Sequence, residues 1–255
     1  MKIWVAIVLG IIQGIAEFLP ISSSGHIILF GSLVGIQVPS FFTLMLHFAS
    51  LVAIIVFFWK DVIWCLKNPL SKRTLGLVFA TFCTAAIAFS IAKLTNIESA
   101  VALGPCFILS GFLLILAELV VKFCYKKTGK NHITIGRSFA VGLAQGFCIL
   151  PGLSRLGTTV SALRLSGIPN DEATSFRLLL SIPVVAGGIV LEIAKGTAFE
   201  NCIGFWPSIL GFIFAFVFAC GSLFFLRKVI KNKRWWVFAP YLVALGVLVT
   251  IWQYA

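Results

Sequence analysis

A stretch near the N-terminus, QGIAEFLPISSSGH (13–26), places polar and titratable side chains inside a strongly apolar part of the chain. The apolar run from Ile3 to Leu19 is about long enough to cross a bilayer, yet Glu17 lies in its interior. Because a carboxylate in hydrocarbon costs roughly 2.5–3.5 kcal/mol or more, Glu17 indicates a function, which for this group is divalent-metal binding or proton transfer. His26 closes the stretch and is suited to act as a nucleophile, base or acid.

Three consecutive serines follow Pro20 in this stretch, and they are Ser22, Ser23 and Ser24. Proline and glycine interrupt a membrane helix and free backbone groups that then need other partners. Serine hydroxyls and freed N–H groups together can form a concave anion site. Ser23 is in addition a second candidate nucleophile beside His26.

A second stretch, PGLSRLGTT (151–159), supplies the complementary charge. Arg155 carries a planar and permanently charged guanidinium, which is a natural partner of phosphate oxygens. Backbone N–H groups freed beside the glycines, a new helix start and three hydroxyls can complete the anion site. The hydroxyls belong to Ser154, Thr158 and Thr159. If the two stretches meet, their combined side chains suit a phosphate ester.

Some of these residues could instead have a purely structural role. Glu17 could serve only as the buried partner of Arg155. His26 could cap a helix or bond a carbonyl without taking part in chemistry. His47 lies on an apolar run, and we interpret it as slightly more structural than catalytic.

The composition predicts a membrane protein. The chain has 255 residues, of which 60% are hydrophobic and 11% charged, and its mean hydropathy is +1.08. Soluble domains carry about 25% charged residues. The seven cysteines are scattered singly, so neither a zinc site nor a disulfide framework is indicated. We therefore expect an all-α polytopic protein that crosses the membrane several times.

The net charge of +12 is concentrated beside the apolar runs. Fourteen of the 20 basic residues lie in the segments 60–73, 122–137 and 227–234. This clustering follows the positive-inside rule, so we expect all three segments on the cytoplasmic side. The same pattern disfavours a nucleic-acid partner. Arg164 and Arg177 are expected to help fix the second polar stretch at the inner face.

Six apolar runs are long enough to span the membrane. They are 41–58, 75–94, 101–121, 178–194, 203–226 and 236–252. Placing the three basic segments in the cytoplasm gives these runs alternating directions. The stretch 1–40 must then end outside, and the stretch 138–175 must begin and end inside. We expect both stretches to form re-entrant helical hairpins, which a membrane tolerates where they are buried in protein or line a cavity.

The two predicted hairpins resemble each other in sequence. GIIQGIAEFLPISSSG (10–25) and GLAQGFCILPGLSRLG (142–157) share Q-G, L-P and a following serine and glycine, and the runs 43–56 and 177–190 also match. Because the charge pattern gives these runs opposite directions, we predict an inverted-topology repeat with a polar site near the middle of the membrane. A single membrane domain, 1–255, would then contain the halves 1–121 and 138–255.

These motifs are similar to those of the undecaprenyl-diphosphatase family, of the bacitracin-resistance type. That family is known by an (E/Q)-x-x-x-E motif, here Gln13 and Glu17, which runs into F-L-P-x-S-S-x-G-H, here Phe18 to His26. Its second signature, P-G-x-S-R-S-G-x-T, corresponds to Pro151 to Thr159. The segment LLLSIPVVAGG (178–188) looks like a third family segment.

Two positions bear on how the family pattern applies. Leu156 replaces the second serine of S-R-S, which removes one expected phosphate-contacting hydroxyl that Thr158 or Ser154 could replace. Gln13 is the non-acidic option at the first motif position. The resemblance implies a divalent cation, Mg²⁺ or Ca²⁺, held by Glu17 and Gln13 together with substrate phosphates and water.

The resemblance implies an integral inner-membrane phosphatase. Such an enzyme removes the terminal phosphate of a C55 polyprenyl diphosphate and yields the monophosphate carrier of peptidoglycan precursors. Arg155 would bind phosphate, and Glu17 would hold the metal or act as base. His26 would attack or transfer a proton, with Ser23 as the rival nucleophile. The further phosphate-binding candidates are Ser22, Ser24, Ser154, Thr158 and Thr159.

A secondary transporter or flippase of a lipid phosphate is the alternative function, since inverted repeats with broken helices are typical of transporters. Phosphate release from polyprenyl diphosphate by the purified protein would separate the two, because a transporter releases none. Membrane lipids and the polyprenyl diphosphate are the expected partners. The oligomeric state is open, and a homodimer is one option.

Overall fold

The computed structural model describes residues 1–94, 102–124, 132–194, 203–231 and 235–254. Within these ranges the chain forms eleven α-helices and two 3₁₀ turns, Phe147–Ile149 and Trp235–Phe238. The helices are α1 (Ile3–Glu17), α2 (Ser23–Val34), α3 (Ser40–Phe57), α4 (Trp59–Lys67), α5 (Lys72–Leu94), α6 (Leu103–Cys124), α7 (Ile135–Gly146), α8 (Arg155–Leu165), α9 (Asn170–Ala194), α10 (Phe205–Lys231) and α11 (Ala239–Tyr254). Parts of the second and third basic segments lie outside the described residues.

Six elements of the described chain are long and apolar enough to cross a membrane, which confirms the predicted number of spans. They are α3, α5, α6, α9, α10 and the unit formed by the second 3₁₀ turn with α11. α9 begins at Asn170, well before the apolar run that starts at 178. Gly167, with a φ of 78°, and Pro169 separate α9 from α8, so the polar residues 170–177 belong to α9.

Four of the shorter helices form two hairpins, α1–α2 and α7–α8, and a serine caps the second helix of each. Ser22 Oγ accepts a hydrogen bond from the backbone N–H of Gly25 at 3.4 Å. Ser154 Oγ accepts one from the backbone N–H of Gly157 at 3.0 Å. A capping serine satisfies an N–H group that has no partner within the helix. The two hairpins therefore begin their second helices in the same way.

Each hairpin packs against a helix of the other half of the chain. α1 lies against α10 and α7 lies against α5. The contact is backbone to backbone, since a Cβ on Gly14 would lie 2.5 Å from the Ala215 carbonyl oxygen, and a Cβ on Gly142 would lie 2.7 Å from that of Ala80. Only glycine allows such a close approach. The two halves are consequently interlocked.

Two further contacts pair equivalent helices of the two halves. α3 packs against α9, and α6 packs against α11. Under the predicted repeat, α1 corresponds to α7 and α5 to α10, so the α1–α10 and α7–α5 contacts are counterparts. This packing is compatible with an inverted repeat, while the direction of each half in the bilayer stays a prediction.

Candidate active site

The tips of the two hairpins meet inside the helix bundle. Arg155, the first residue of α8, places Nη2 3.0 Å from Oε2 of Glu17, the last residue of α1. Beside this contact, Ser22 Oγ donates a hydrogen bond to the carbonyl of Leu153 at 3.3 Å. The structure thus brings together the two stretches whose side chains, taken jointly, suit a phosphate ester.

Oε2 of Glu17 is the common acceptor of this cluster. Besides the Arg155 bond, it accepts hydrogen bonds from Ser23 Oγ at 2.7 Å and from Gln13 Nε2 at 3.1 Å. The Glu17 side chain is only 4% exposed. Because hydrogen bonds between charged groups are the strong ones, this set of donors suits an ionised carboxylate. Glu17 is therefore both the counter-ion of Arg155 and the acceptor for the Ser23 hydroxyl.

A small polar pocket lies between the N-termini of α2 and α8. Its walls include Glu17 and the cap and first two residues of each helix, which are Ser22, Ser23, Ser24, Ser154, Arg155 and Leu156. The first N–H groups of a helix lack acceptors within it and carry the positive end of its dipole. Two such helix ends and one guanidinium at a single pocket form an anion site suited to phosphate.

His26 lies in the first turn of α2 but does not line this pocket. Its Nδ1 donates to the Ser22 carbonyl at 2.7 Å, and its Nε2 lies 2.6 Å from the hydroxyl of Tyr241. In a neutral ring with a proton on Nδ1, Nε2 accepts the tyrosine O–H. The ring also stacks on Tyr241 and meets the edge of Phe107. The structure therefore fixes the orientation of this imidazole from both nitrogens.

Thr158 and Thr159 are buried within α8 and do not line the pocket. The Thr159 hydroxyl donates to the Arg155 carbonyl at 2.6 Å, which is a bond within its own helix. Ser154, in contrast, lines the pocket while it caps α8. Of the hydroxyls predicted to bind phosphate in the second motif, the geometry favours Ser154.

His47 belongs to the cluster, although its place on an apolar run suggested a structural role. Its Nδ1 lies 2.8 Å from Gln13 Nε2, 3.3 Å from Arg155 Nη2 and 3.5 Å from Glu17 Oε2. Both nearer atoms are N–H donors, so Nδ1 accepts and a neutral imidazole carries its proton on Nε2. A histidine inside a membrane span was the one signal in the sequence that could have identified it.

Arg164 and Arg177, which the sequence assigned to the same role at the inner face, lie in different environments. Arg164 Nη2 lies 2.7 Å from Glu118 Oε2, so α8 and α6 share a partly buried ion pair. Arg177 is 2% exposed, and its charge interacts with those of Glu17 and Arg155. Arg177 therefore belongs electrostatically to the polar cluster.

The donor set for a divalent cation is small. The described residues contain no group of three or more His, Cys, Asp or Glu side chains that could hold a metal ion. Oxygen is available from Gln13 Oε1, which is buried and has no hydrogen-bond partner among the described residues. The second carboxylate oxygen of Glu17 is a further candidate, since all the hydrogen bonds described above use Oε2. Such oxygens fit Mg²⁺, which typically binds one or two protein groups together with substrate phosphates and water.

Residues 6–248 match the family model described as "Bacitracin resistance protein BacA". An undecaprenyl-diphosphatase of Treponema denticola is 34% identical to this chain over 100% of both proteins. The undecaprenyl-diphosphatase of Halothermothrix orenii is 35% identical over 98% of both, and that of Korarchaeum cryptofilum is 32% identical over 98% of both. These matches confirm the resemblance seen in the two motifs, and the chain belongs to the BacA bacitracin-resistance family.

Proposed function

We propose that this protein is an integral membrane phosphatase that hydrolyses undecaprenyl diphosphate to undecaprenyl phosphate and inorganic phosphate. The names of its relatives support the reaction. The observation that carries the site is the 3.0 Å contact between Glu17 and Arg155, placed where two helix N-termini meet. The product is the lipid carrier of cell-wall precursors, and the name of the family refers to bacitracin resistance.

The substrate places its diphosphate in the pocket between α2 and α8 while its tail remains among the lipids. Arg155 and the first N–H groups of both helices bind the non-bridging oxygens, and the hydroxyls of Ser22, Ser24 and Ser154 lie in the same walls. The negative charge that develops on the transferred phosphoryl group is stabilised by these fixed donors. Positioning and electrostatic stabilisation supply most of the catalysis in phosphoryl transfer.

Glu17 and Ser23 form the reacting pair. Ser23 Oγ already donates to Glu17 Oε2 at 2.7 Å, which is within reach for proton transfer to a base. Ser23, or a water molecule in its place, attacks the terminal phosphorus and gives its proton to Glu17. The bridging P–O bond breaks, and its electron pair leaves with undecaprenyl phosphate. If Ser23 attacks, water then hydrolyses the phosphoserine.

His26 has a part in proton transfer rather than in attack, because Ser23 and not His26 lines the pocket. Its Nδ1–H bond to the Ser22 carbonyl leaves Nε2 as the atom that exchanges a proton, with the Tyr241 hydroxyl as its neighbour. The Ser22 carbonyl at the N-terminus of α2 is thereby hydrogen-bonded to a ring that can take up and release a proton.

Glu17 and Gln13 would hold a divalent cation, Mg²⁺ or Ca²⁺, whose remaining ligands come from the diphosphate and water. When bound, the ion would neutralise charge on the phosphate oxygens. The unpartnered Gln13 Oε1 supports this assignment. With one carboxylate among the ligands, the ion is expected to bind together with the substrate rather than before it.

Phosphate release from undecaprenyl diphosphate by the purified protein in detergent tests this function. We expect release by the wild type and at least about 100-fold slower release by Glu17→Gln and Arg155→Ala. Glu172→Gln is the matched control, because Glu172 bonds the Ile133 N–H away from the pocket. Absence of release by the wild type would favour the lipid-phosphate transporter, and full activity of both site variants would refute the site.

The six spans make this a multi-pass membrane protein. We place it in the bacterial cytoplasmic membrane with its basic segments inside, and the first hairpin would then open its pocket toward the outer leaflet. The homodimer stays a prediction from the sequence.

A further inference from the structure

Arg177 is a buried guanidinium that forms no ion pair with the described residues. It lies in α9, which packs against both α8 and α3, and it is 2% exposed. Two of its nitrogens, Nε and Nη1, are buried and have no hydrogen-bond partner in the part of the chain that the structure describes. Buried arginines are normally paired, because an uncompensated charge in a low-dielectric interior is costly. Arg164 shows the usual arrangement, with Glu118 at 2.7 Å.

The polar cluster carries more positive than negative charge. Glu17 is its only carboxylate among the described residues, and Arg155 already binds Oε2 of that group at 3.0 Å. Arg177 interacts electrostatically with both of these residues. The cluster therefore holds two guanidinium groups and one carboxylate. Charges interact strongly here because protein and lipid screen them less than water does.

We infer that Arg177 is a specificity-determining residue that supplies the positive charge for the second phosphate group of a lipid diphosphate. This inference rests on the proposed function. Arg155 lies in the pocket wall and meets one phosphate directly. Arg177 does not line the pocket, so it acts across the interior by its charge, or through a bridging water. Its contribution grows with the charge of the ligand, and it therefore favours the diphosphate substrate over the monophosphate product.

Arg177→Met in the full-length protein tests this, with Arg177→Lys as the charge-preserving variant. Binding is measured for two probes, a polyprenyl methylene-bisphosphonate, which cannot be hydrolysed, and polyprenyl monophosphate. We expect Arg177→Met to weaken bisphosphonate binding about tenfold or more while monophosphate binding changes much less. Arg177→Lys should recover most of the difference between the two probes.

Thermal unfolding of the ligand-free protein separates this role from a structural one. Removing an uncompensated buried charge should raise the unfolding temperature of Arg177→Met by roughly 2–8 °C. Arg164→Met, the matched control, should lower it, because it leaves Glu118 unpaired, and its ratio of affinities for the two probes should stay at the wild-type value. The inference would be overturned if Arg177→Met bound both probes more weakly and to the same extent, or if it bound both as the wild type does. It would also be overturned if Arg177→Met did not fold.

The failure of this inference is distinguishable from failure of the proposed function. If the wild type binds the bisphosphonate and releases phosphate, but Arg177→Met binds both probes as the wild type does, only the role of Arg177 is overturned. A wild type that neither binds the bisphosphonate nor releases phosphate overturns both.

Discussion

Glu17 and Arg155 are 138 residues apart in the chain, and their side chains meet at 3.0 Å. The contact joins the end of α1 to the start of α8, and it pairs a buried carboxylate with a guanidinium that is 22% exposed. This pairing leaves the helix N-termini free to bind an anion. The ion pair is thus part of both the fold and the site.

Arg155→Met should destabilise the protein by about 3–5 kcal/mol, because it leaves the Glu17 carboxylate buried and unpaired. Adding Glu17→Gln to the same protein should recover part of that loss, since the unpaired charge is then gone. Urea or thermal unfolding of the two single variants and the double variant measures this coupling. Additive losses would show that the two side chains are not paired in the folded protein.

Ser23→Ala should lower kcat about 10²–10⁴-fold, because it removes the hydroxyl hydrogen-bonded to Glu17 at 2.7 Å. Rapid-quench detection of a phosphorylated protein decides whether Ser23 itself attacks. Ser90→Ala is the control, since the Ser90 hydroxyl only bonds back to the Ala86 carbonyl on α5. An active Ser23→Ala protein would leave water as the sole nucleophile.

His47→Leu should reduce kcat/KM roughly 10–100-fold, because the Arg155 guanidinium loses an acceptor worth about 1.5–3 kcal/mol for a charged hydrogen bond. His47→Gln should retain most of the activity, since its amide oxygen can accept in place of Nδ1. Steady-state kinetics of both variants checks this expectation. Equal losses in the two variants would indicate that the imidazole has a role that an amide cannot supply.

Leu156→Ser restores the serine of the family signature and should change stability and affinity in opposite directions. Leu156 is 2% exposed and packs in the core with Phe18 and Val160, so its loss should cost about 2–4 kcal/mol. The same residue lines the pocket, where a new hydroxyl can reach phosphate and lower KM. Unfolding temperature and KM are measured together, and an unchanged KM would show that position 156 does not contact the substrate.

The sequence predicted the six spans and the breaks that separate α1 from α2 and α7 from α8, because hydropathy, charge and helix breakers are local properties of the chain. The re-entrant course of the two hairpins in the membrane stays a prediction. The contacts of His47 and Arg177 could not be predicted in the same way. They depend on the rotation of α3 and α9 about their axes, which packing between distant helices decides. For Thr159 the sequence predicted too much. Its motif suggested that it binds phosphate, whereas its hydroxyl donates a hydrogen bond to the Arg155 carbonyl.

The interlocked packing of α1 with α10 also sets an order of events during biosynthesis. Glu17 leaves the ribosome 138 residues before Arg155, which at typical elongation speeds is an interval of roughly 7–30 s. Until then its carboxylate lacks the Arg155 guanidinium, and Gly14 lacks the backbone surface of α10. The first hairpin can therefore complete its packing only after α10, which ends at Lys231, has been translated.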